Sequence, residues 1–320
     1  MGILKLVFAA GVIAWLIQSD KLDLQALKPL LEPQNLFVCF LLAILNVTLI
    51  AYRWQVLLKS QKIITSFFNT LKLTLIGLFF SYLIPGGVGG DFVKAYYVVR
   101  NNPTAKLKSG LTIVVDRLIG LFCIMTMALS VMIFDFDRVS QSTALHSLLM
   151  VMSLLYAGFC VAWAFVFSRR LFETQILQKV LGHWLKSEKL LKTYTEIASY
   201  RDHKPAFIKG FFLTLIAQSF AVVFFVYVGS LVYEGQIPLA IYFFAVPVGF
   251  MATAIPISPG GVGVGQAAFY FLFNTAYGKT TDVGSATITA FQAVLFCLSL
   301  LGAIAYIQMK KSLPSQDTTQ

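Results

Sequence analysis

The chain has 320 residues, of which 58% are hydrophobic and only 12% charged, with a mean hydropathy of +0.78. Soluble domains average about 25% charged residues, so this composition excludes an ordinary water-exposed surface and makes the chain an integral membrane protein. The net charge of +11 follows from a surplus of basic residues in loops and needs no nucleic acid to explain it.

In chain order, apolar stretches cover roughly 3–18, 35–52, 67–84, 111–134, 148–168, 207–233, 238–255, 266–277 and 284–309. A bilayer core takes about 20 residues per helix; most of these stretches suit that length and two are too short to span alone. Residues 3–18 carry Lys5 and an apolar run, with no small-x-small site before Gln18-Ser19-Asp20, which predicts an uncleaved first helix. Twice the apolar pattern is broken by the same kind of block: Pro85-Gly86-Gly87-Val88-Gly89-Gly90-Asp91 and Pro259-Gly260-Gly261-Val262-Gly263-Val264-Gly265. Pro and Gly break helices, and irregular backbone at membrane depth survives only where protein or a wet cavity satisfies its polar groups. Paired interruptions in the two halves of a chain point to a transporter's binding site.

Each block is therefore read as the tip of a re-entrant hairpin, 67–84 with 92–99 and 238–255 with 266–277, leaving six full spans. On that reading 20 of the 25 Lys and Arg residues fall on one side, and only Lys21, Lys28, Arg138 and Lys279 on the other, with Arg117 inside a span. The positive-inside rule makes the basic side, and both termini, cytoplasmic. Crossing each hairpin as one bent helix would scatter the basic loops over both faces. The first hairpin then enters from the cytoplasm and the second from outside, an inverted repeat suited to alternating access. The expected fold is all-α, a single membrane domain over 1–320: a first half 1–168 with hairpin 67–99, a cytoplasmic amphipathic loop 169–205, a second half 206–311 with hairpin 238–277, and a polar tail 312–320. In the loop, Leu177, Val180, Leu181, Trp184 and Leu185 alternate with Lys179, Lys186, Lys189 and Lys192, as in a helix lying on the inner leaflet.

Cys39, Cys123, Cys160 and Cys297 lie singly, and His146, His183 and His203 are scattered, so no metal, disulfide or cofactor site is expected. Among fourteen acidic residues only Asp91 and Asp116 fall at membrane depth, where a carboxylate is costly unless paired. Asp91 either caps the half-helix that follows it or partners a cation, a proton or Lys94. Asp116 and Arg117 are adjacent on one helix and point to different faces, so each needs its own partner. Arg117, inside the bundle, suits bidentate phosphate binding, whereas Lys94 is a point charge; near the cytoplasmic end of its helix it would instead snorkel to the interface. The glycine amides and the half-helix N-termini behind them add an anion-binding concavity. A dinucleotide fold and a nucleophile elbow are excluded, for want of a strand before either block and of any G-x-S-x-G.

Arg53-Trp54 with Leu57-Leu58, then Leu83 to Asp91, then Asp116-Arg117-Leu118-Ile119-Gly120-Leu121, and finally Pro259 to Val264 occur in the order seen in the flippase-like transmembrane domain of lysylphosphatidylglycerol synthases. The chain resembles that family over nearly its whole length. The resemblance implies an inner-membrane protein related to the flippase half of the multiple peptide resistance factor, which moves aminoacylated phospholipid between leaflets. Two positions depart from the family pattern, Lys94 where Arg is usual and Gln266 where Glu is usual. Loss of that acid removes a countercharge for a cationic lysyl headgroup. Only about a dozen polar residues follow the last span, so lipid aminoacylation by a transferase domain is not expected of this sequence.

The expected function is movement of a phospholipid or lipid-linked headgroup between leaflets, without enzymatic turnover. Pro85, Gly86, Gly87, Gly89, Gly90, Asp91, Lys94, Asp116, Arg117, Pro259, Gly260, Gly261, Gly263 and Gln266 are the candidate binding residues. An intramembrane enzyme acting on a lipid phosphate, and a non-catalytic partner of a separate lipid-modifying enzyme, are the alternatives. Ser299 and Gly302 in the last span suit a helix interface, either within one subunit or in a homodimer.

Overall fold

A computed structural model describes residues 25–84, 89–168, 195–197, 199–255 and 257–311, together with Gln18. The stretch 3–18 except Gln18, most of the loop 169–205, the tail 312–320 and Pro85, Gly86, Gly87 and Val88 of the first glycine block lie outside the described residues. Every described element is helical. The α-helices are α1 (Pro33–Ser60), α2 (Phe67–Leu83), α3 (Gly89–Asn101), α4 (Lys106–Phe134), the short α5 (Phe136–Ser140), α6 (Thr143–Phe167), α7 (Lys204–Val232), α8 (Leu239–Thr253), α9 (Val264–Tyr277) and α10 (Val283–Lys311).

Five helical segments are long and apolar enough to cross a membrane: Pro33–Ser60, Pro103–Phe134, Thr143–Phe167, Thr195–Val232 and Val283–Met309. They coincide with five of the stretches read as full spans. The apolar helices α2 and α8 have 17 and 15 residues, which at 1.5 Å per residue is short of a hydrocarbon core about 30 Å thick.

Local chemistry sets the helix ends. Pro33 supplies the first turn of α1, where its missing N–H costs nothing. The Ser66 hydroxyl accepts from the Asn69 amide to open α2, and Ser142 does the same for Leu145 ahead of α6. Gly278, in the left-handed region, closes α9 through its N–H to the Asn274 carbonyl at 2.9 Å.

Helices α1 and α7 pack against each other, tied by the Asn46 amide donating to the Ala217 carbonyl at 2.7 Å. The hairpin α2–α3 packs on α10, and the hairpin α8–α9 packs on α4; α3 also meets α4, and α9 meets α10. Exchanging the two halves of the chain maps these pairs onto one another. Helix α6 lies at the edge, with Tyr156 stacked on Phe122 of α4 at 5.0 Å and with Met150, Val151, Leu154 and Leu155 exposed. An exposed apolar helix face of that extent is what a bilayer solvates.

Small residues set the closest approaches. A Cβ on Gly302 would lie 2.1 Å from the Leu75 carbonyl oxygen of α2, so this glycine serves a contact within the chain. A Cβ on Gly90 would lie 2.0 Å from the Gly77 carbonyl oxygen, and backbone cannot swing aside as a side chain can. Gly90→Ala is expected to destabilise the hairpin by about 1–3 kcal/mol. Gly110→Ala, with nothing within 4 Å of its Cβ, gains up to about 1 kcal/mol of helix preference. Thermal unfolding in detergent micelles checks the pair: equal midpoints would contradict the tight α2–α3 crossing.

Candidate functional site

The second glycine block forms a short 3-10 turn at Pro259–Gly261, with φ of 58° at Gly260, 73° at Gly261 and 86° at Gly263. Three positive φ values in four residues are open to glycine at little cost. Space imposes the same choice, since a Cβ on Gly260 would meet the Tyr82 ring at 2.6 Å and one on Gly261 would meet Thr253 at 2.7 Å. The end of the first hairpin's α2 thus lies against the tip of the second. The Tyr82 hydroxyl strengthens that contact by donating to the Gln292 carbonyl at 3.0 Å.

Gln266 holds this turn from beneath. It is 1% exposed; its Oε1 accepts from the Gly263 amide at 2.7 Å, and its Nε2 donates to Gln292 Oε1 at 2.8 Å and to Thr289 Oγ1 at 3.2 Å. Gln292 in turn donates to the Gly260 carbonyl. These bonds satisfy polar backbone that no helix ladder serves.

Between the hairpins lies a cavity of about 410 Å³, walled by Asn46, Val47 and Ile50 of α1, Thr74, Gly77, Leu78 and Ser81 of α2, Asp91 and Lys94 of α3, Arg117 of α4, Gln218 of α7, Phe250 and Thr253 of α8, and Phe291 and Leu295 of α10. A second compartment of about 300 Å³ shares Leu78, Ser81, Arg117, Phe250, Thr253, Phe291 and Leu295, and extends to Tyr82, Gly260 and Gln292. Arg117 stands in both walls.

The charges of the cavity form one group. Asp91, in the first turn of α3 where the helix dipole favours an anion, accepts from Arg117 Nε and lies 3.9 Å from Lys94 Nζ. Lys94 also stands 5.0 Å over the Trp54 ring, whose Nε1 donates to Thr112 at 3.2 Å. Among the described residues, two cations face one carboxylate in a space lined by both polar and apolar side chains.

Asp116 takes a separate partner. Arg53 grips it through Nε at 2.7 Å and Nη2 at 2.8 Å, and donates from Nη1 to Thr214 of α7 at 2.9 Å. Both side chains are 8% exposed, and neither lines the cavity. Gly120 leaves room for this guanidinium: a Cβ there would lie 3.2 Å from Nη1. The adjacent pair Asp116-Arg117 therefore points two ways, into the α1–α4–α7 junction and into the cavity.

Of the sequence-derived candidates, Asp91, Lys94 and Arg117 line the cavity and Gly260 lines its extension. Gly89 and Gly90 are buried at the start of α3, Pro259 and Gly261 are buried in the second block, Gly263 precedes α9, and Gln266 lies beneath the block. Asn46, Thr74, Ser81, Gln218 and Thr253 complete the polar wall and had no place among those candidates. Their one signal in the sequence is a solitary polar residue in an apolar helix.

Long apolar helices around a charged cavity define a polytopic helical membrane protein. The chain belongs to the family described as the lysylphosphatidylglycerol synthase TM region, which matches residues 2–302, and membership ties it to a lipid-related function in a membrane. No curated protein and no solved structure matches it.

Proposed function

We propose that this chain moves a phospholipid or lipid-linked headgroup between the leaflets of a cytoplasmic membrane. In this reading the two hairpins are re-entrant, six spans surround them, both termini are cytoplasmic, and the halves form an inverted repeat whose rocking exposes the cavity to each face in turn. The observation that carries the proposal is the cavity between the hairpins, where, among the described residues, Lys94 and Arg117 face the single carboxylate Asp91. A phosphate suits the surplus cation, and the apolar remainder of the wall, or the bilayer beside it, suits acyl chains. Transport rather than catalysis is supported by the ion pairs: Asp91 and Asp116 are both engaged with cations, whereas a general base needs a free carboxylate within reach of a proton.

The test is reconstitution of the purified protein in liposomes carrying fluorescent phospholipid, with leaflet exchange and chemical turnover scored together. Exchange without turnover is expected. Turnover would favour an intramembrane enzyme, and neither would favour a partner subunit of a separate lipid-modifying enzyme. Asp91→Asn, which releases both cations, is expected to abolish exchange while leaving the helical content unchanged; wild-type exchange by that variant would reduce Asp91 to a structural residue.

A further inference from the structure

Asp91 and Lys94 stand three residues apart on α3, a spacing at which a carboxylate and an ammonium on one helix face pair readily. Here they stop short of it. Lys94 Nζ lies 3.9 Å from Asp91 Oδ1, beyond hydrogen-bond reach, and the ammonium donates no hydrogen bond to any group among the described residues. Yet the Lys94 side chain is only 12% exposed. An ammonium carries three donors, and leaving them unmade in a nearly buried place costs free energy that a bound anion recovers.

Two features hold the ammonium off Asp91. Nζ stands 5.0 Å over the Trp54 ring, within range of the attraction between a cation and an aromatic face. The Lys94 stem runs against Gly77, where a Cβ would lie 3.0 Å from Cε and 3.1 Å from Cγ, so a residue without a side chain leaves that course open. Trp54 is itself fixed. It is 1% exposed, its Nε1 donates to Thr112 Oγ1 at 3.2 Å, and the Thr112 hydroxyl donates to the Ser109 carbonyl at 2.8 Å. The ring is thereby tied to α4, the helix that also carries Arg117. Lys94 lines the cavity and Trp54 does not, so Trp54 acts there only through Lys94.

We infer that Trp54 is a positioning residue for phosphate binding: its ring draws the Lys94 ammonium away from Asp91 and keeps its donors open for the phosphate of a phosphodiester lipid. The inference rests on the headgroup site proposed above. Without the ring the ammonium closes on Asp91, and that ion pair must break before a phosphate binds.

The test is binding of dioctanoyl phosphatidylglycerol to the full chain in nonionic detergent, with affinity taken from the rise of the unfolding midpoint with lipid concentration. Trp54→Leu removes the aromatic face and is expected to weaken binding about tenfold, close to the effect of one charge-assisted hydrogen bond broken beforehand. Trp54→Phe loses the same indole N–H but keeps an aromatic face, and is expected to stay within about threefold of the parent. In a Lys94→Met background, Trp54→Leu is expected to change affinity no further. A purely structural role predicts otherwise, since both substitutions loosen the packing and both break the Thr112 bond. Equal losses in the Leu and Phe variants, or an undiminished loss in the Lys94→Met background, would overturn the inference. A second readout leaves Trp54 in place. With Trp15, Trp163 and Trp184 replaced by Phe, saturating lipid is expected to shift the Trp54 fluorescence, and Lys94→Met is expected to abolish the shift; bound lipid that leaves the emission unchanged would contradict the inference. A parent that binds none of this lipid would overturn the headgroup site and the inference with it. Binding without leaflet exchange in liposomes would overturn transport alone, and the Trp54 comparison would still decide the inference.

Discussion

Asp116→Ala is expected to destabilise the fold by about 3–5 kcal/mol, the cost of leaving a buried guanidinium without its partner. Arg53 has few alternatives: its Nε and Nη2 both point at the Asp116 carboxylate, and Nη1 is already engaged with Thr214. The pair joins α1 to α4, and the Thr214 bond extends the junction to α7, so the variant loosens three helices at once. Removing both charges is a different perturbation. Arg53→Met with Asp116→Leu deletes the pair and fills its volume, and is expected to recover most of the loss, because a buried ion pair replaced by packed apolar side chains is often neutral or better. Thermal unfolding of the two variants and the parent in the same detergent checks this. Equal losses in the single and double variants would show that the pair is not the buried junction described.

Arg117→Gln is expected to lower leaflet exchange about a hundredfold with little effect on folding. Arg117 is the more exposed partner of Asp91, with 43% of its side chain accessible, and it stands where the two cavity compartments meet. A guanidinium holds a phosphate through two parallel N–H donors, and charge-assisted bonds of this kind contribute about 1.5–3 kcal/mol each. Arg117→Lys keeps the charge and loses the fork, so it is expected to fall in between, about tenfold down. Exchange rates in liposomes, with thermal unfolding as the control on folding, decide it. Wild-type exchange by Arg117→Gln would remove this residue from the site.

Hydropathy foretold the long helices because a span is a continuous apolar run, and α1, α4, α6, α7 and α10 each lie over one of the expected stretches. The second glycine block was equally legible: a Pro-Gly-Gly-Val-Gly string cannot remain helical, and the positive φ values of Gly260, Gly261 and Gly263 are the local outcome. In the first block Pro85 to Val88 lie outside the described residues, and Gly89 and Gly90 already belong to α3. Adjacency alone separated the partners of Asp116 and Arg117. Arg53 was not legible in the same way. It follows the apolar stretch 35–52, where an arginine reads as an interfacial cation, yet α1 continues to Ser60 and carries it into a buried ion pair. The identity of its partner depends on how α1 crosses α4, and no period within either helix encodes that crossing. The same holds for Asn46, Thr74, Gln218 and Thr253, which come from four helices and become one wall only after packing. Gln266 was legible as a residue of the second block, but its place beneath the turn follows from the approach of α10, which brings Thr289 and Gln292 within reach.

Accessibility of the cavity from the two faces tests the account most directly. Cys39, Cys123, Cys160 and Cys297 are free thiols; with these replaced by Ala, Ser81→Cys places a single thiol in the wall shared by both compartments. Membrane-impermeant maleimide is then applied to right-side-out and to inverted vesicles. Labelling from both faces, slowed by added lipid substrate, is the result predicted for a headgroup site between opposed hairpins. Labelling from one face alone, or from neither, would contradict it.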